Sequence, residues 1–389
     1  MDVSIDEIKA REILGLEGMP ALEAEVILED GTYGLSQVSC SGASSPVREN
    51  GAGNAAAAAI NEEINNMLCG ENTTDQLEID NALRSVAELP AFARLAVSSA
   101  CAKAAANALS LPLYRYLGGV FAHTIPMPEF TLLDTPEADS KALGIRPSGA
   151  ACLAEAIAVS EAVAASVRDL LEARGSRIPA GENGGFASPL ATAEENILLV
   201  CAAIERAGFI PGEDVELGLS FGAGFADNKY CSKARSAEDE AAYFAELCER
   251  FPVGSIDLPL EKSDAAGWQF LAEIPDGYVM LSCDPGPGRQ WETPRLCPAP
   301  CCISRPEEQS SVSGILASLN AAAAAGKKIK IRRSSATEDT FIADLAVAVN
   351  AGYIAAGALR SPGSSVLLNQ LLRIEEELGA NGTFGPGEE

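Results

Sequence analysis

Positive charge is scarce in this chain, long apolar runs are missing, its cysteines follow no framework, and it has one histidine. Its 28 lysines and arginines face 55 aspartates and glutamates, a formal net charge of −27. So acidic a surface repels phosphate backbones and anionic lipid, which argues against nucleic acid and membranes as partners. The longest apolar stretches are mostly alanine and fall short of a membrane span. The opening MDVSIDEIKAR lacks the basic start and apolar block of a secretory signal. The 11 cysteines are odd in number and unpatterned, so reduced thiols in a cytoplasmic protein are the simpler reading. Cys297, Cys301 and Cys302 lack paired Cys-x-x-Cys spacing and a nearby histidine, so buried thiols are favoured over zinc. DPGPG and GAGNAA are glycine-rich without a strand–turn–helix context and read as turns, not nucleotide loops.

What is present is a globular core. The chain has 389 residues and is 47% hydrophobic, enough for one large domain or a large domain with a smaller partner. LEAEVIL (22–28) alternates apolar and polar residues as a half-exposed strand does, and EDGTYG supplies a turn. Asn54 is placed to cap the helix AAAAAINEEINNML, and further helices are predicted over 75–87 and 93–109. The proline-rich HTIPMPEF (123–130) reads as a linker. Beyond it, RIPAG, VELGLS, GSIDL, YVMLSC, APCCIS, KKIKIR and YIAAG are strand candidates, most of them separated by alanine-rich helices. That alternation favours a (β/α) barrel over a doubly wound sheet, for which no Gly-x-Gly-x-x-Gly turn is found. Chemistry in a barrel sits at the C-terminal strand ends, which here carry Glu182, Asn183, Ser220, Asp257, Asp284, Ser304, Arg332 and Arg333.

Several long segments, in order, resemble the enolase family over almost the whole chain. They are AREILGLEGMPALEAEV, the SGASS loop at 41–45, LPLYRYLGG, IPMPEF, TEDTFIADLAVAVNAGYI and NQLLRIEEELG. The resemblance implies an α/β enolase fold: a small N-terminal α+β domain (1–126), then a (β/α)8 TIM-like barrel (127–389). Enolases dehydrate 2-phosphoglycerate to phosphoenolpyruvate. A lysine takes the proton beside a carboxylate, magnesium stabilises the dianion, and a glutamic acid helps expel hydroxide.

Residue by residue, the resemblance implies that this machinery is broken. The family's Gly-Asp-Glu-Gly-Gly turn is GENGG here, so Asn183 stands where the catalytic glutamate would be, and an amide exchanges no proton at neutral pH. Glu182 is adjacent, but neighbours on an extended segment face opposite ways. The base position is Ser304, a second active-site lysine position is Ala355, and one metal-ligand position is Ser220. Asp257 and Asp284 keep the other two ligand positions, which leaves weak magnesium binding open; otherwise no cofactor is expected. The family's mobile histidine loop corresponds to 128–147; it is shortened, has no histidine, and its acid matches Ala142. His123 lies outside it. Ser41, Arg333 and Ser334 match the substrate and phosphate contacts, while Arg332 replaces a histidine.

KKIKIR carries a further signal. Lys328, Lys330 and Arg332 share one face by period two, although parallel barrel strands normally read apolar on both faces. This leads to the expectation that Lys330 or Arg332, with Arg305, neutralises Asp257 and Asp284 in place of magnesium. The implied function is a catalytically inactive enolase-like protein with a structural, scaffolding or regulatory role in a larger assembly. Its expected partners are proteins, in a homodimer or a heterodimer, although the altered Glu17 puts the family interface in question. A cytoskeletal or flagellar place follows by analogy alone. The alternatives are a weak magnesium-dependent enolase and a noncatalytic sensor of phosphometabolites.

Overall fold

The structure is a computed structural model. It describes all residues other than 1–2, 17, 41–51, 136–137, 139, 176–178, 182–183, 222–224, 227–228, 231–235, 261–263, 272–278, 286–297, 335–336 and 388–389. Ser41, Glu182, Asn183 and Glu17 therefore lie outside the described residues.

The N-terminal domain is an antiparallel meander of β1 (Ile5–Leu14), β2 (Pro20–Leu28) and β3 (Tyr33–Ser39). β2 holds the alternation seen in the sequence and buries Leu22, Ala24, Val26 and Leu28. The helix Ala91–Ala108 covers the sheet. Its alanines and serines let the two backbones approach so closely that a Cβ on Gly34 would stand 2.2 Å from the Ala100 carbonyl oxygen. The helix Ala52–Ala59 starts before Asn54, which is therefore not its cap. The backbone N–H of Asn54 donates to Glu12 Oε2 at 3.0 Å. Along edge strand β1, Asn65 Oδ1 accepts from Ile8 N–H and Asn61 Oδ1 from Ala10 N–H, each at 2.7 Å.

The barrel strands are β4 (Met127–Asp134), β5 (Ala142–Arg146), β6 (Glu216–Ser220), β7 (Val253–Asp257), β8 (Met280–Cys283), β9 (Cys301–Ser304), β10 (Lys328–Arg332) and β11 (Tyr353–Gly357). They pair in chain order, and β11 closes onto β4 through Tyr353 opposite Met127. β5 runs antiparallel to both neighbours and the other barrel pairs are parallel. The predicted α+β domain and barrel are therefore present, with a hairpin opening the barrel in place of a strand–helix unit.

Two sequence expectations about the barrel strands are revised. The stretch 127–146, read as a linker and then a loop, supplies the first two barrel strands; its prolines had been taken as punctuation, yet Pro128 pairs within β4. The described part of RIPAG, residues 179–181, is not part of a barrel strand. Ala180 makes only an isolated bridge to Phe186, and Arg177 and Ile178 lie outside the described residues. The other six strand candidates fall on β6 to β11. Among the described cysteines eight are free thiols, while Cys283 is disulfide-bonded, against the reading of reduced thiols throughout.

The two domains are joined by a buried polar seam. Lys103 Nζ lies 2.6 Å from Asp339 Oδ1, and Asp339 Oδ2 accepts from Ser36 Oγ at 2.9 Å and Gln37 N–H at 2.7 Å. Asp339 belongs to the TEDT stretch, which thus acts in domain docking. Among the described residues no helix is long and apolar enough to cross a membrane.

Candidate functional site

The parallel strands bring their C-terminal residues to one rim, the barrel mouth. His123 is at the other end: its backbone N–H donates to Asn350 Oδ1, and Asn350 precedes β11. Arg146, at the end of the reversed strand β5, is also at the base. There its Nε donates to Glu216 Oε2 at 2.8 Å, and its guanidinium lies 5.0 Å from the centroid of the Tyr353 ring.

Inside the barrel β10 turns Lys330 inward, fully buried, while Lys328 is exposed. The Lys330 ammonium donates to Asp257 Oδ1 at 2.8 Å, to Asp257 Oδ2 at 2.9 Å and to Glu129 Oε2 at 2.8 Å. Glu129 Oε2 also accepts from Ser255 Oγ at 3.0 Å. Glycine at 218 makes room for this carboxylate, since a Cβ there would stand 3.0 Å from Glu129 Cδ. Burial pulls the Lys330 ammonium down, but Asp257 and Glu129 more than offset it and hold the group above the ordinary lysine value. Burial pushes Glu129 up, but Lys330, with help from Arg146, leaves it below the usual carboxylate range. A lysine held charged by two carboxylates in this way is poorly placed to accept a proton.

Asp284 meets a second cation. Arg305 Nε lies 2.9 Å from Asp284 Oδ2 as an ion pair, out of line for a hydrogen bond. Arg305 Nη1 donates onward to Glu308 Oε1 at 3.3 Å, and Ser334 Oγ donates to the same oxygen at 3.2 Å. Ser334 N–H donates to Glu307. Both glutamates sit on the 3₁₀ turn Pro306–Glu308 that follows β9, which aims them at the end of β10. Arg333 Nη1 donates to the Gly363 carbonyl.

Of the residues singled out from sequence, Ser220, Asp257 and Ser304 end β6, β7 and β9. Arg332 ends β10 and pairs in register with Ala355 on β11. Ala142 starts β5, in register with Ser220 and Asp134, so it belongs to a strand and not a loop. Ser304 is buried. Cys301 and Cys302 are buried free thiols, pushed up by burial to about 11 and about 12. Cys297 lies outside the described residues.

Sequence reasoning missed Glu129, Glu307 and Glu308. Glu129 was hidden in the presumed linker; its signal was an acid inside the mostly apolar MPEFTLLD. Glu307 and Glu308 announced themselves only as acids directly after a strand, a pattern shared with ordinary solvated turns.

A divalent ion at this mouth would have to displace the ammonium from both oxygens of Asp257 and the guanidinium from Asp284, with Ser220 giving no charge. Among the described residues no three His, Cys, Asp or Glu side chains are grouped to hold a metal. The donor set does not fit magnesium.

Comparison with protein families agrees with the architecture. The enolase N-terminal domain matches residues 5–117, and the enolase C-terminal TIM barrel domain matches residues 122–388. The chain belongs to the enolase family. In this enolase-family chain Lys330 pairs with Asp257 and Glu129, and Arg305 with Asp284 and Glu308, at the mouth of the matched barrel.

Proposed function

We propose that this enolase-family protein does not dehydrate 2-phosphoglycerate and serves as a structural or regulatory subunit of a larger assembly. The observation that carries the reading is the internal pairing of the mouth. Lys330 covers Asp257, Arg305 covers Asp284, and Glu307 and Glu308 take the donors of Ser334. In the family, the resemblance places metal on the first two groups and phosphate on the third. Here side chains of the chain itself supply the opposite charges, and Ser304 and Ala355 supply no base.

Surface chemistry supports the assembly part of this proposal. Val120 and Phe121 are 82% and 75% exposed, side by side, in a chain of net charge −27. Purification of the native protein under gentle conditions tests this part, with a defined stoichiometric partner expected and a lone monomer counting against it.

The catalytic part is tested by a coupled assay with purified protein, magnesium and 2-phosphoglycerate. No turnover is expected. A rate within about a hundredfold of the roughly 10 s⁻¹ typical of enzymes would overturn the proposal and favour the weak-enolase reading.

A further inference from the structure

A recess of about 210 Å³ lies on the flank of the barrel, between β4, the helix Leu153–Ala173 and the segment that follows β11. Its walls include Leu132, Ala164, Ala165 and Phe186, together with two charged residues, Glu161 and Arg360. Glu161, Ala164 and Ala165 share one face of the helix by their spacing of three and four residues, and the two alanines leave the hollow that longer side chains would fill. The facing wall is backbone held in place. Gly185 N–H donates to Asp134 Oδ2 at 2.9 Å, and the Gly185 carbonyl accepts from Gly181 N–H at 2.8 Å. A Cβ on Gly185 would stand 2.9 Å from the Leu132 carbonyl oxygen, and one on Gly184, where φ is +82°, 3.3 Å from Ala358 Cβ. The recess is therefore built into the fold.

The Arg360 guanidinium rests 6.0 Å from the centroid of the Phe186 ring, and both Arg360 and Glu161 are exposed at the opening. No ion pair joins the two, so one recess offers an anion site and a cation site side by side. A guanidinium fork fits a carboxylate, and a carboxylate takes an ammonium. The apolar walls call for a hydrocarbon group on the same molecule, and a volume below the roughly 300–1,000 Å³ of drug-sized sites calls for a small one. We propose that this recess binds a free apolar α-amino acid, its carboxylate on Arg360, its ammonium on Glu161 and its side chain against Leu132, Ala164 and Phe186. A free amino acid carries both charges on one carbon, whereas a peptide end supplies only one of them. Arg333, Ser334 and Ala355, where the family resemblance places phosphate contacts and a lysine, line the barrel mouth and not this recess. The proposal goes beyond the non-catalytic reading and does not depend on it. Turnover of 2-phosphoglycerate would leave it untouched, and a failure to bind amino acids would leave the catalytic question untouched.

The test is isothermal titration of the full chain with L-leucine. L-leucine is expected to bind. L-leucinamide lacks the carboxylate, N-acetyl-L-leucine the ammonium and glycine the side chain, and each is expected to bind at least about tenfold more weakly. Glu161→Gln and Arg360→Met are each expected to weaken L-leucine by about tenfold or more, while Ser334→Ala at the mouth changes it little. Glu161 and Arg360 are both exposed, so neither substitution disturbs the core. Absence of binding at millimolar L-leucine, equal affinity for any of the three analogues, or unchanged affinity in Glu161→Gln or Arg360→Met would overturn the proposal. So would a loss in Ser334→Ala as large as that in Arg360→Met.

Discussion

Replacing Lys330 with methionine removes the cation but keeps most of the side-chain volume, so the change isolates charge. In the native barrel all three ammonium donors are used, two on Asp257 and one on Glu129. The lysine side chain is 0% exposed, that of Asp257 3% and that of Glu129 15%. Water can therefore relieve Glu129 in part, and most of the penalty falls on Asp257. Breaking a buried pair by removing one partner costs about 3–5 kcal/mol, and Lys330→Met should lie in that range. Replacing all three groups together, as Lys330→Met with Asp257→Asn and Glu129→Gln, leaves none of the three charges unpaired and should recover the stability to within about 1 kcal/mol of the native protein. Urea unfolding followed by circular dichroism and tryptophan fluorescence measures both, provided the slope with denaturant is unchanged. A cost below about 1 kcal/mol for Lys330→Met would refute the clamp, as would a triple variant no more stable than the single one.

Three further outcomes are expected. Gly218→Ala brings a Cβ to 3.0 Å from Glu129 Cδ and 3.1 Å from Ser255 Oγ, so it should cost about 1–3 kcal/mol in the same urea experiment; a neutral result would mean that Glu129 moves freely. Asp339→Ala removes the acceptor for Ser36 and Gln37 and leaves the half-buried Lys103 with the Leu35 carbonyl alone, so the domain seam should weaken by about 1–3 kcal/mol, seen as earlier proteolysis between the domains. Asp344 reports on pH. Burial pushes its carboxyl up to about 6, partly opposed by Lys103 and Gln370. The folded state thus holds this proton more tightly than the unfolded chain, so the group costs stability above its folded value, and the cost disappears as pH falls below the unfolded one. The shift corresponds to at most about 3 kcal/mol at neutral pH and above, so Asp344→Asn should stabilise there and become neutral near about pH 4. The difference between variant and native protein is the quantity to read, because Asp339 is held low by Lys103 despite its burial and acts in the opposite sense. A difference that is flat with pH would contradict the assignment.

The parts of the site that were legible in the sequence were those that broke a pattern. Lys330 interrupts a strand that should be apolar on both faces, and that interruption points from the sequence to Asp257 and Asp284. The six strands from β6 to β11 were legible because each is a short apolar run set off from its neighbours, most often by an alanine-rich helix. β4 and β5 were not, because their prolines mimic punctuation and because a hairpin opens a barrel otherwise built from strand–helix units. Glu129 fell with β4. The pairing of Glu307 and Glu308 with Ser334 depends on the geometry of a 3₁₀ turn after β9, and nothing in local sequence distinguishes those acids from solvated ones. Asn54 shows the converse: a good capping residue sits inside a helix because Ala52–Ala59 begins earlier and Glu12 takes a free N–H of the first turn.

The central claim is that this barrel mouth pairs its own charges and has lost proton abstraction along with dehydration. The most direct test follows 2-phosphoglycerate by NMR in deuterated buffer with the purified protein and saturating magnesium. The account predicts neither phosphoenolpyruvate nor exchange of the proton beside the carboxylate, over times at which an active enolase completes both. Exchange alone would already contradict it, because it would show a working base where Ser304 and Ala355 stand.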